Sequence, residues 1–136
     1  MAETVTNRGK YTVFNSSIPA LTLRMCYFTG TQVGTADPDL NTVADLEAVS
    51  GVTVGAERVA LASVTVTEDD TNNRVNVDAA NLSFGAIAAT AQGVAIYDEG
   101  GGTDATRPII AIYTTGFPVV MDGGLNITIT DWLRGV

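Results

Sequence analysis

The 136-residue chain contains no histidine and only one cysteine. Without histidine it lacks the commonest general base, the commonest transition-metal ligand and the side chain that titrates near neutral pH. Ser-His-Asp and Cys-His nucleophilic chemistry are excluded with it. A lone thiol makes neither an intrachain disulfide nor a cysteine-based structural zinc site. That thiol, Cys26, sits in the apolar run Leu23-Arg24-Met25-Cys26-Tyr27-Phe28 and reads as a small core residue. No run approaches the ~20 apolar residues that span a bilayer. The start, Met1-Ala2-Glu3-Thr4-Val5-Thr6-Asn7, is polar and has no apolar signal core. It predicts a protein made and first held in a cytoplasm.

Positive charge is scarce. Seven basic residues face fifteen acidic ones, for a net charge of −8 and a pI near 4.1. Such a surface repels phosphate backbones and anionic lipid, so nucleic acid and membrane are not expected partners. Charged residues are 16% of the chain, where about 25% is usual for soluble domains. A sparse-charge surface suits a subunit covered by its neighbours. Hydrophobic residues at 46% are enough for a packed core, so the chain is expected to fold as a single domain.

The patterning points to an all-β domain. Residues 1–10 are polar and are expected to form an extended arm ahead of a domain spanning 11–136. Residues 11–14 are β-prone, and Asn15-Ser16-Ser17 is expected to turn the chain. Over residues 21–28, Leu21, Leu23, Met25 and Tyr27 share one face and Thr22, Arg24, Cys26 and Phe28 the other. Both faces carry apolar groups, which predicts a central strand. One short helix is expected near residues 40–48, with Asp39 as N-cap, Leu40, Val43, Leu46 and Val49 at helical spacing, and Gly51 at its end.

From residue 57 the β signal dominates. Residues 58–67 are rich in β-branched side chains and predict one long strand. Residues 68–73 form a polar turn, and Arg74-Val75-Asn76-Val77-Asp78 alternates with its valines inward, completing a hairpin. Residues 81–84 continue the alternation. Val94-Ala95-Ile96-Tyr97 reads as a buried strand, and 98–106, with Gly100-Gly101-Gly102, as a mobile loop. Residues 108–114 predict a central strand. Phe117-Pro118-Val119-Val120 reads as an edge, because proline lacks a donor. A last alternation from Leu125 runs towards Trp132 and Leu133. Seven to eight mostly antiparallel strands follow, in a β-sandwich or small β-barrel.

The candidate sites are weak. Glu68, Asp69, Asp70 and Asp78 form the densest carboxylate cluster, and oxygen-rich loops of this kind hold calcium. The EF-hand spacing is absent, and turns use these residue types to bond their own backbone. Asp98, Glu99 and Asp104 flank the triple glycine, but no Walker pattern or GxGxxG accompanies them. No constellation of nucleophile, base and oxyanion donors appears, so no catalytic residue, metal or cofactor is expected and the chain reads as a non-enzyme. Trp132 suits either an interface anchor or a plug at the end of the domain.

The run from Arg58 to Phe84 carries a resemblance. It contains Thr65-Val66-Thr67, Asp69-Asp70-Thr71-Asn72 and Arg74, followed by a second strand that ends at an aromatic residue. This arrangement resembles a group of small tailed-bacteriophage virion proteins. Val94-Ala95-Ile96-Tyr97, the Asp/Gly/Thr loop, Arg107-Pro108-Ile109-Ile110-Ala111 and the start Thr4-Val5-Thr6-Asn7-Arg8-Gly9 fit the same group. The similarity covers most of residues 57–130.

The resemblance implies a structural subunit of the mature particle, most directly a capsid decoration or cement protein on the capsid exterior. Its implied partners are the major capsid protein and itself, as a homotrimer. Contacts are then expected at Thr4, Val5, Thr6, Asn7, Arg8, Lys10, Asp98, Asp104, Arg107 and Trp132. A head–tail adaptor, tail or fibre-base subunit is the nearest alternative. A carbohydrate-binding module for host adsorption is the alternative of another class.

Overall fold

The computed structural model describes residues 11, 15–33, 40–100, 102–128 and 133–135, the last three by their backbone. The arm residues 1–10 and Trp132 lie outside the described residues. The fold is all-β: among the described residues ten short strands carry the chain, against the short α-helix Val43–Ala48, helical residues at Tyr11 and 15–17, and two 3-10 turns.

The strands are β1 (Leu23–Thr29), β2 (Thr53–Ala60), β3 (Thr65–Asp69), β4 (Arg74–Asp78) and β5 (Leu82–Phe84). They continue with β6 (Thr90–Asp98), β7 (Ile109–Tyr113), β8 (Val119–Val120), β9 (Leu125–Ile127) and β10 (Leu133–Gly135). The helix α1 (Val43–Ala48) falls between β1 and β2. The count exceeds the expected seven to eight because β8, β9 and β10 are only two or three residues long. Strands that short leave almost no alternation to read.

All pairings are antiparallel. The main sheet runs β2-β1-β6-β7, and β8 joins β6 beside β7. The nine-residue β6 is its spine: β1 runs along one edge, while β7 and then β8 share the other. A three-stranded sheet β10-β4-β3 and a two-stranded sheet β5-β9 complete the framework.

Period-2 alternation makes β1 the divider between two cores. Leu23, Met25 and Tyr27 enter a larger core with Val94 and Ile96 of β6. The smaller sheets close that layer with Val66, Val75, Val77, Phe84 and Leu125. The sheets thus face one another across a shared apolar layer, which is the sandwich arrangement. Tyr27 meets Phe84 edge to face there, with ring centroids 5.2 Å apart. Cys26 and Phe28 point the other way, into a smaller core with Ala95, Tyr97, Val43, Leu46 and Val52. Helix α1 covers that side.

Four local expectations are corrected. Tyr11 and 15–17 are helical, leading into a 3-10 turn at Ile18–Ala20 with Pro19 in its first turn, where a fixed φ fits. The β-rich run 58–67 is two strands: β2 pairs with β1, β3 pairs with β4, and Ser63 at φ 56° stands where the chain leaves one sheet for another. β7 is an end strand of the sheet path, not a central one. The helix is capped by Thr42, whose Oγ1 accepts from Asp45 N–H at 3.3 Å. Asp45 Oδ2 accepts in return from Thr42 N–H at 2.9 Å. This capping box satisfies two orphan donors at once, so the cap stands at Thr42, three residues after the expected Asp39.

Candidate functional site

The densest set of charged groups brought together by the fold lies beside the smaller core. Three of the charges come from strands or a strand end: Arg24 on β1, Arg58 on β2 and Glu99 just after β6. Glu47 comes from α1, Asp104 from the 3-10 turn Asp104–Thr106, and Arg107 from the residue after that turn. Arg58 grips Asp104 with both arms of its fork, at 3.0 and 3.1 Å, and its Nε donates to Gly55 O at 3.1 Å. Asp104 also accepts from Arg107 at 3.0 Å, and Arg107 lies 3.6 Å from Glu99. Glu99 is paired with Arg24 in turn. Glu47 sits 3.6 Å from Arg58.

The six side chains form one chain of alternating sign, Glu47–Arg58–Asp104–Arg107–Glu99–Arg24, with no net charge. Tyr97 lies beneath it: the Arg58 guanidinium is 5.5 Å and that of Arg107 6.0 Å from its ring centroid. Both are at cation–π distance. Tyr97 itself is buried at 1% exposure, so the cluster roofs the rim of the smaller core.

Backbone bonds fasten the roof. Val43 N–H donates to Arg107 O at 3.1 Å, Ile109 N–H donates to Asn41 O at 2.9 Å, and Thr42 bridges Pro108. The start of α1 and the entry to β7 are therefore stitched together. Thr103 and Thr106 close the 3-10 turn between themselves, Thr106 Oγ1 accepting from Thr103 N–H at 3.1 Å. Within the stretch that reads in sequence as a mobile loop, Glu99 and Asp104 are ion-paired to arginines.

Electrostatics follow the geometry. The Arg58 hydrogen bonds hold the Asp104 carboxyl down to about 2, against the opposing effect of burial. Its hydrogen bond with Asp104 pushes Glu47 upward, burial adding to the shift. Arg58 is raised further by Asp104. Burial pushes the Cys26 thiol up to about 11, which keeps it a protonated, unreactive core group at neutral pH. Asp104 stays ionised through the neutral range, so the arrangement can fasten elements together but offers no proton donor there.

The other acidic candidate behaves differently. Asp69 accepts from Asn72 N–H and Nδ2, from Arg74 Nε at 3.0 Å and from Asn76 Nδ2 at 3.5 Å. The hairpin loop binds its own carboxylate, and these bonds, the Asn72 side chain first, hold Asp69 below the usual carboxylate range. Asp78 accepts from Ala79 N–H. Among the described residues, no three His, Cys, Asp or Glu side chains converge on a possible metal position.

Of the ten residues expected at contacts, the structure describes three. Asp104 and Arg107 meet in the cluster, while Asp98 stands apart and accepts from Thr22 N–H at 3.1 Å. Thr4, Val5, Thr6, Asn7, Arg8, Lys10 and Trp132 lie outside the described residues. Sequence reasoning placed Glu99 beside the glycine loop without its partners, and missed Arg24, Glu47, Arg58 and Tyr97. The available signal was an arginine in each of two β-prone strands, a charge that demands a partner when a sheet face is covered.

The class of protein defined by this fold is a single all-β domain whose densest polar cluster is an internal ion-pair network. No family model matches the chain, and no curated protein or solved structure matches it. Among the described residues no helix is long and apolar enough to cross a membrane.

Proposed function

We propose that the chain is a structural subunit of a tailed-phage virion, a decoration protein that binds the outer face of the major capsid lattice and stabilises it. The observation that carries this reading is the resemblance borne by the run from Arg58 to Phe84. In the fold that run supplies the last three residues of β2, the whole β3–β4 hairpin and β5. Two features support it. β2 and β3 each end a sheet path, and an open strand edge is a place where another chain adds by main-chain hydrogen bonding. In addition, the arginine side chains of Arg24, Arg58, Arg74 and Arg107 are all spent on internal ion pairs, which leaves the acidic balance facing outward and disfavours DNA as a partner. Many small contacts repeated over a lattice then add by multivalency, and a homotrimer supplies three such contacts per particle of decoration.

The test is the copy number of this chain relative to the major capsid protein in purified virions, by quantitative mass spectrometry. A ratio of one to one, or one to a few, is expected. A ratio of one to many tens would move the protein to the portal vertex or tail, and complete absence would sink the virion reading.

A further inference from the structure

We propose that α1 and the 3-10 turn after β6 open together as a lid over the smaller core, and that the Arg58–Asp104 ion pair is the latch. The inference does not depend on the virion reading. The two pieces are joined to each other by the Val43–Arg107 backbone bond, and the Asn41–Ile109 bond ties the start of α1 to the first residue of β7. The rest of their attachment to the sheet is made by side chains. It consists of Val43 and Leu46, both at 0% exposure, and the ion pairs of Arg58 with Asp104 and Glu47.

Nothing in the larger core needs to move for this to open. The β1–β2 and β1–β6 ladders and the layer against the smaller sheets stay closed. A six-residue helix has little stability of its own, so once its anchors are lost it leaves as a unit with its partner turn. On its C-terminal side Gly51 holds φ +84°, a conformation open to glycine and strained for other residues. Segments with few anchors open sub-globally, at lower free energy than the whole domain. Opening uncovers Cys26 and Phe28 on β1 and Ala95 and Tyr97 on β6.

Cys26 is the chain's only thiol and is fully buried when the lid is closed, so it reports opening without ambiguity. The experiment measures reaction of the full chain with an aromatic disulfide reagent at pH 8, beside urea unfolding followed by circular dichroism. Asp104→Asn is expected to speed labelling at least tenfold beyond any rise that its unfolding constant explains. Glu47→Gln, which removes the 3.6 Å pair with Arg58 but also a carboxylate that Asp104 disfavours, should change it by less than about twofold. Phe84→Ala, in the larger core, should raise labelling only in proportion to its unfolding constant.

Amide exchange on the unmutated protein supplies a second readout if Asp104→Asn does not fold. The amides of α1 and of 104–107 should exchange with one common, weakly urea-dependent opening, faster than those of β4. Labelling that tracks global unfolding in every variant would overturn the lid. So would exchange of α1 and the turn at unrelated rates.

Discussion

The two faces of the main sheet are closed by different means. On one face, fourteen buried residues, eleven of them on strands of the three sheets, make a continuous apolar layer. On the other, only eight buried residues gather, and a six-residue helix is too small to cover a five-stranded sheet. The remaining rim is filled by the Glu47–Arg24 ion-pair chain lying over Tyr97. Sheet on sheet supplies enough apolar surface to close itself. A short helix does not, and the gap is closed by charges that must be paired to be tolerated there.

The contrast is broken most severely from the larger face. Phe84 is 3% exposed and braces Tyr27. Phe84→Ala removes a ring from the middle of the layer and should destabilise the domain by about 3–5 kcal/mol, read as a lower urea midpoint with an unchanged slope. On the helix side, Leu46→Ala removes a fully buried side chain and is expected to cost about 2–3 kcal/mol, at the low end for such truncations because a cover one helix thick can settle into the space. Equal losses at the two positions would show that both faces are closed with the same rigidity.

Two glycines sharpen the same comparison. A Cβ on Gly55 would strike the Tyr27 ring on the larger face, and one on Gly93 would strike the Phe28 ring on the smaller. Glycine in a strand here marks the close passage of an aromatic ring over the sheet. Each alanine substitution should cost about 1–3 kcal/mol by overpacking. Gly93→Ala should be the worse, because its Cβ would also lie 2.7 Å from the backbone oxygen of Tyr113, which cannot swing aside. Thermal melts of the two variants, run in parallel, check the order.

The difference between the faces also explains what the sequence reveals. The alternation of β1 and of the β3–β4 hairpin and the short apolar run of β6 were legible because each is a local pattern. Asp69 was legible as a turn carboxylate because its partners lie within seven residues. The ion-pair chain was not, since Arg58 and Asp104 are 46 residues apart and Arg24 and Glu99 are 75 apart. The split in the run 58–67 was hidden for another reason. Both halves are β-branched, and only the backbone turn at Ser63 separates strands that belong to different sheets. β7 read as central because Ile109 to Tyr113 are apolar at successive positions on both faces, although in the structure they are only half-buried and the strand ends its sheet path among the described residues.

The smallest expected effect lies in the pH dependence of the polar rim, and two opposing signs must be separated. Asp104 is held at about 2 in the folded protein, below its ordinary value of 3.8. Its contribution is complete above about pH 4 and is lost as pH falls through about 2. Glu47 is shifted the other way. A raised carboxyl binds its proton more readily when folded, so its contribution is unfavourable at neutral pH and is relieved on acidification. Urea midpoints should therefore hold level or rise slightly as pH drops from 7 into the usual carboxylate range, then fall below about pH 4. Asp69, also held low, contributes to the same fall, so the variants must be read singly. Asp104→Asn should flatten the acid limb and Glu47→Gln should remove the shoulder above it, while Asp69→Asn should trim the acid limb and leave the shoulder intact. A shoulder that survives Glu47→Gln would mean that the raised Glu47 carboxyl is not its source.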